Sequence, residues 1–344
     1  MSTQADQGSS FSLLPEEGRQ HFRLLELPPE LLRLVVSERT ILHFKSGPKT
    51  SEAGSNSEAV LCTPDKTFNI RQVNTSNSVY IYQPTSHNDD DENPQPGLQA
   101  IAQSSWTLEP SEAASLPSAP HYLKAALPTY SWTGTYQSKD PPASQQQLFD
   151  DIPLSQAECE AAWRDLACFE LKNEPKGCFL PTASAKVQVW RSILESATAA
   201  GVNVSRDPLS PEHIEQLLDR NDEDWPSELG RAMLASVCDH EGMLDPGKWV
   251  RAVGLDLVAV EGTRGMLLSE LLKKWKDTLP EQRRSAAKVE ALPWSEYTLS
   301  DDRKTITSAG AESGVASAPA ESKLTLGAKR KWHEKFRESK KAAK

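Results

Sequence analysis

The chain has 344 residues, 38 basic and 48 acidic, for a formal net charge of −10; at 38% hydrophobic with nine tryptophans it excludes wholesale disorder, while 24 prolines require long irregular connections. Its five cysteines (Cys62, Cys159, Cys168, Cys178, Cys238) are odd in number and no two are three apart, which excludes a disulfide scaffold and a CxxC-type zinc site and favours a reducing compartment. No apolar run approaches the ~18 residues of a membrane span, and the polar start Met1–Ser10 lacks a signal peptide's basic and apolar regions, so a soluble intracellular chain without membrane contact is expected.

The charge is unevenly placed. From Lys323 onward nine basic residues face only Glu334 and Glu338, a local charge of +7 that leaves −17 for everything before it. An acidic body with a basic terminal arm touches a phosphate backbone locally, through that arm or another patch, rather than coating it. The alternative reading of the arm is a solvated tail with a nuclear-import signal.

From Phe22 to about Gln83 the chain reads mainly as strand. Phe22–Leu27 is a first strand; Pro28-Pro29 opens a short helix with Leu31, Leu32, Val35 and Val36 on one side; Ile41–Phe44 is a second strand. After a Gly/Ser/Pro loop at 46–57 come Ala59–Cys62, the alternating stretch Thr67–Val73, a turn at Asn74–Asn77, and Val79–Tyr82. Short strands at this spacing argue for an antiparallel sheet or small barrel. Residues 84–120, rich in Pro, Ser, Gln and Asp, read as an inserted disordered loop, with His121–Leu127 and Tyr130–Trp132 as late pieces of the barrel. This gives a β-barrel-like, partner-binding domain over 1–135 and a linker over 136–150.

Thereafter the period is helical. Ser155 is a candidate N-cap for Gln156–Leu171; Lys186–Ala199, Pro211–Asp219 and Pro226–Val237 follow, and Asp245-Pro246 is the N-cap and first-turn pair of a helix through Trp249, Val250, Val253 and Leu257. These make helical, winged-helix modules over 151–262. In the block 263–307, Leu268–Thr278 is one helix, Glu281–Leu292 a second, and Tyr297–Leu299 with Lys304–Thr307 a hairpin, which is the outline of a C-terminal winged helix. Residues 308–344 are a flexible linker and the basic tail. The fold class is α+β: an N-terminal antiparallel barrel-like domain, tandem winged-helix modules, and a tail.

No catalytic constellation is present. Gly242–Lys248 nearly spells a phosphate-binding loop, but Trp249 stands where the magnesium hydroxyl belongs, and Asp245-Pro246 is better explained as a helix start. Seven histidines are scattered without metal spacing, and no GxSxG or strand-following GxGxxG occurs. Gln145–Leu148 begins like a sliding-clamp peptide, but Asp151-Ile152 replaces the two aromatics needed. No catalytic residue, cofactor or metal ligand is assigned. The best binding constellation is in the last block: Lys273, Lys274 and Lys276 on its first helix, Arg283, Arg284 and Lys288 on the second, and Arg303 and Lys304 in the wing, all candidate DNA contacts. In the N-terminal domain the apolar residues Val60, Phe68, Ile70, Val79 and Ile81 are candidates for a partner interface at exposed sheet edges.

Leu24–Leu27, Ala59–Cys62, Asp65–Phe68 and Thr75–Asn77, in this order and spacing, resemble the defective-in-sister-chromatid-cohesion family, subunits of the alternative replication factor C clamp loader. Trp190–Leu194, Leu244-Asp245, Arg251-Ala252 and Leu268–Pro280 with Trp275 resemble its later segments; the 46–57 loop and the basic tail depart from the family pattern. The resemblance implies a nuclear, non-enzymatic accessory subunit acting in DNA replication and cohesion. Its N-terminal half would share a β-barrel with the loader's large subunit and a small accessory subunit. Its winged helices would contact DNA and the catalytic subunit of DNA polymerase epsilon, with the sliding clamp PCNA an indirect partner. The alternative is a stand-alone winged-helix DNA-binding regulator, which needs base readout and normally a symmetric dimer.

Overall fold

The computed structural model describes residues 22–46, 59–87, 95–112, 118–131, 144–173, 176–204, 209–219, 225–239 and 243–309, with a short strand at Phe11–Leu13. The tail from Lys323, most of the 46–57 loop and Gly242 lie outside them.

The alternating residues of the first third build one curled, half-barrel sheet. Its elements are β1 (Phe11–Leu13), β2 (Leu24–Leu25), α1 (Pro29–Ser37), β3 (His43–Lys45), β4 (Val60–Cys62), β5 (Thr67–His87) and β6 (Gln95–Glu112). The strand order is β1-β6-β5-β4-β3, with β2 also paired to β6. The turn expected at Asn74–Asn77 is a bulge inside β5, since Asn74 opposes Trp106 and Val79 already opposes Ser104.

The largest departure from expectation is β6, which occupies much of the stretch 84–120 read as a disordered loop. Ala100, Ile101, Ala102 and Ser104 are buried and Gln103 and Ser105 exposed, and a register shift at Ile81/Tyr82 leaves Ile101 unpaired, so mostly small residues and an interrupted alternation mask the strand. Pro110 is tolerated because the ladder to β5 does not need its missing N–H. Leu108, two residues earlier and pointing the same way, accepts from Glu26 N–H on the opposite side.

His121–Leu127 and Tyr130 are not barrel pieces, and Trp132 lies outside the described residues. The first two are α2 (Ala119–Ala126) and β7 (Thr129–Tyr130), followed by α3 (Gln145–Asp151), α4 (Gln156–Asp165), β8 (Phe169–Leu171) and β9 (Gly177–Pro181). Leu123 and Leu127 pack with Leu148, Phe149, Ile152 and Cys159 in a core separate from that of the sheet. Ser155 caps α4 in a full capping box with Glu158, but the helix stops at Asp165 rather than Leu171. Ala167 turns left-handed at φ 53°, and Phe169 starts a strand.

The main core runs through α5 (Ala183–Ala200), α6 (Pro211–Asp219), α7 (Ser227–Val237) and α8 (Pro246–Glu261), then β10 (Met266–Leu267), α9 (Leu268–Asp277), β11 (Tyr297–Leu299) and β12 (Thr305–Ser308). Asp245 caps α8 as expected, its Oδ1 accepting from Gly247 N–H at 2.8 Å and Lys248 N–H at 2.9 Å. The second helix expected over Glu281–Leu292 is instead two 3-10 segments, Glu281–Ala286 and Val289–Ala291, broken at the extended Lys288. Ala287, Val289 and Leu292 are all buried, and spacings of two and three residues do not form an α-helical stripe.

Two three-stranded sheets, β7-β9-β8 and β10-β12-β11, share one order, first-third-second. Each follows a helix and has helical segments between its first and second strands, although β7 runs parallel to β9 while β10 is antiparallel to β12. Between them α5, α6 and α7 end in the single antiparallel bridge Cys238–Leu244.

Helix α9 lies close on α8 because Gly254 has no side chain. A Cβ there would sit 2.6 Å from Trp275 Cε2, and Trp275 Nε1 donates to Val250 O at 2.9 Å across the same seam. Gly254→Ala should therefore push the indole out of that bond and destabilise the fold by about 1–3 kcal/mol. Thermal denaturation checks this, and an unchanged midpoint would refute the seam.

Candidate interaction surfaces

The basic residues of the last block stand among acidic ones. Lys273 and Lys276 are exposed on α9, but Glu270 and Asp277 are exposed on that helix too, and Lys274 is paired with Glu261 at 2.7 Å. Arg284 and Lys288 do not lie on one helix as expected, because the 3-10 segment ends at Ala286. Arg283 is half-buried, Arg284 is exposed but bends its Nε to Leu279 O at 3.3 Å, and Lys288 stands exposed between the two segments. At the hairpin tip Arg303, at φ 53°, and Lys304 are exposed beside Asp301 and Asp302. The Ser300 hydroxyl, then the Lys304 N–H, hold the Asp302 carboxyl below its ordinary range, so this tip keeps its negative charge.

The candidate interface residues of the sheet divide in two. Val60 and Ile70 are interior, and Phe68 is half-buried against the core of Leu31, Leu61 and Ile70. Val79 is 44% exposed and Ile81 half-buried. Around Val79 the structure adds Tyr80, Tyr82 and Leu98, so the outer part of the β5–β6 hairpin shows large apolar side chains on both faces. Leu32 and Val36 of α1, Ile41 after it, and Phe44 on the edge strand β3 are likewise exposed. The doublets Leu31-Leu32 and Val35-Val36 carried this signal: a nine-residue helix with apolar residues on adjacent positions cannot hide them all.

The phosphate-loop near-miss is explained. The amides a phosphate would require at Gly247 and Lys248 are already bonded to Asp245. The cysteines are packing residues. Burial pushes the thiols of Cys159 and Cys238 up to about 11 and those of Cys168 and Cys178 to about 12, so they stay protonated and unreactive. Leu148 and Phe149 are buried, so Gln145–Leu148 offers no peptide to a clamp. Among the described residues no three His, Cys, Asp or Glu side chains are grouped to hold a metal, and no helix is long and apolar enough to cross a membrane.

A cleft of about 640 Å³ lies between the first three-stranded unit and α5, α7 and α8, lined by Lys124, Lys186, Lys248, Arg251 and Asp256 among others. On its wall Lys186 pairs with the buried Asp256. Burial raises the Asp256 carboxyl above its ordinary value, against the pull of the Lys186 ammonium. The pair ties α5 to α8.

The chain is thus an α+β protein with large apolar side chains exposed on its N-terminal sheet and cations interleaved with acids on its last block. The family model of the sister chromatid cohesion protein Dcc1 matches residues 22–313, and the chain belongs to that family. Its role is accordingly in sister chromatid cohesion, at chromatin, as an accessory factor of a family that is not catalytic. Among curated proteins, none matches the chain.

Lys186→Met leaves a buried carboxylate without its counter-charge and should cost about 3–5 kcal/mol at neutral pH. The folded-state pKa of Asp256 lies above its unfolded value, so the folded state binds that proton more tightly. The penalty is therefore relieved as pH falls through the raised pKa. Denaturant titrations at neutral and mildly acidic pH should show the gap to the unmodified chain narrowing in acid; equal gaps would rule this out.

Proposed function

We propose that the chain is a non-catalytic accessory subunit of an alternative replication factor C clamp loader, bridging the loader to DNA and to DNA polymerase epsilon. The observation that carries this reading is the outer β5–β6 hairpin, with Val79, Tyr80, Tyr82 and Leu98 exposed. Beyond β4 the sheet thins to β5 and β6 with β1 along part of β6, and large apolar residues exposed on both its faces are favourable only when covered. The open edge of β3, with Phe44 exposed on it and Leu32, Val36 and Ile41 exposed in the chain before it, offers further backbone for strand addition. Both features fit a barrel completed by the loader's large subunit and a small accessory subunit.

The recurrent order of the two small sheets supports reading the helical body as winged-helix modules, with the β11–β12 hairpin as the wing of the last. With no second α-helix in that module, DNA contact falls to Lys273, Lys276, Lys288, Arg303 and Lys304. Cations at such separate points grip the phosphate backbone without reading bases.

Co-expression with the two partner subunits tests the docking reading. Val79→Glu with Tyr80→Glu should release both partners at least tenfold, with the thermal midpoint of the chain alone unchanged, since both side chains are exposed. Undiminished co-purification would overturn the assignment. For the DNA reading, Lys273→Ala with Lys276→Ala and Lys304→Ala should weaken binding to unrelated duplexes alike. The slope of affinity against salt should fall by roughly 0.9 for each phosphate that is no longer neutralised. Fluorescence anisotropy measures both; full DNA affinity with loss of the polymerase would make this surface a protein-docking site.

A further inference from the structure

Between the N-terminal sheet and the helical body a set of directional polar contacts links two separate apolar clusters. The apolar core of the sheet, built on Leu31, Leu61 and Ile70, and the core of α2, α3 and α4 are separate clusters. At the boundary Lys45 on β3 extends its ammonium into the C-terminal end of α3, donating to Phe149 O at 2.7 Å, Ile152 O at 3.0 Å and Leu154 O at 2.7 Å. Three donors meet three carbonyls, so the ammonium is fully satisfied at a negative helix end. Nearby, the Thr67 hydroxyl of β5 donates to Glu158 Oε2 at 2.6 Å and accepts from Ser155 N–H at 2.7 Å, and Ala157 N–H donates to Pro64 O at 3.0 Å. The capping box of α4 is thereby shared with the sheet.

We infer that Lys45 and Thr67 form a locking joint: they set the angle between the sheet and the helical body, and releasing them lets the two move as separate units. Intra-chain interfaces of polar character permit relative motion by default. Here that motion is opposed by directional bonds, which hold at one angle only, whereas apolar contact tolerates sliding. The geometry of β3 makes the joint responsive to its surroundings. Lys45 faces the body while its neighbour Phe44 is 58% exposed on the opposite side of a three-residue edge strand, so any displacement of β3 is delivered to the end of α3. The inference concerns the chain alone and does not rest on what docks on the sheet.

The test places spin labels at Arg33→Cys on α1 and Ser269→Cys on α9 in the full chain, with Cys238→Ser removing the partly exposed thiol; the other described cysteines are buried. Pulsed dipolar measurement should give one narrow distance distribution, broadened at least twofold by Lys45→Met and again by Lys45→Met with Thr67→Val. Hydrogen exchange should rise about tenfold or more over residues 145–160 and stay unchanged in α8 and α9. Thr67→Val alone, which keeps the capping box, serves if Lys45→Met does not fold, and should give a smaller broadening. An unchanged distance distribution, or exchange raised uniformly along the chain, would overturn the joint and leave Lys45 as a cap on α3.

Discussion

The arrangement of the helical body depends on how closely α9 can approach α8, and that approach is set at Gly254. Trp275 fills the space a side chain would take and donates its indole N–H to Val250 O, so the last unit is keyed to α8 at one depth. The same helix packs Trp249 on Trp190 of α5 with ring centroids 5.9 Å apart, and joins α5 again through Asp256 and Lys186. With its inner face used in this way, α8 leaves Lys248 and Arg251 outward, along the wall of the cleft. One helix therefore aligns what precedes and follows it, and the end of the chain that carries the exposed lysines cannot tilt freely.

At the other end the physics is reversed. The sheet buries few large side chains and keeps many at its surface, so its stability rests on backbone ladders and on polar contacts to α3 and α4. A sheet of this kind gains most from being covered, while a core keyed by tryptophans gains little. The division between a part that wants a partner and a part already complete is a property of the burial pattern, and it agrees with membership of a family of cohesion accessory factors.

What the sequence made legible followed the strength of local signals. Pro211–Asp219, the Asp245-Pro246 start of α8, the Ser155 cap and the last hairpin were readable because proline, capping side chains and a clear 3.6 or 2.0 period coincide there. Strand β6 was not, because alanine and serine carry its buried face and proline its ends. The second helix expected at Glu281–Leu292 was not either, since helix-forming residues predominate there while burial demands a different spacing. Val60 and Ile70 were legible as apolar strand residues, but whether a strand's apolar side faces a core or a partner depends on which elements cover it, and α1 covers one face only.

Charge adds a constraint on how such a chain can act on DNA. The basic residues before the tail are interleaved with acids: Glu270 and Asp277 stand with Lys273 and Lys276, Asp301 and Asp302 with Arg303 and Lys304. At ordinary ionic strength each cation is seen within about 8–10 Å together with its neighbouring carboxylate, so the far field of this region does not steer a duplex toward it. Contacts of this kind become effective when the chain is already held near the backbone, because tethering replaces weak bimolecular capture with a high local concentration. An accessory subunit anchored through its sheet meets that condition. A free-standing regulator with the same surface would have to find its site unaided, against the −17 charge carried by the chain ahead of its tail.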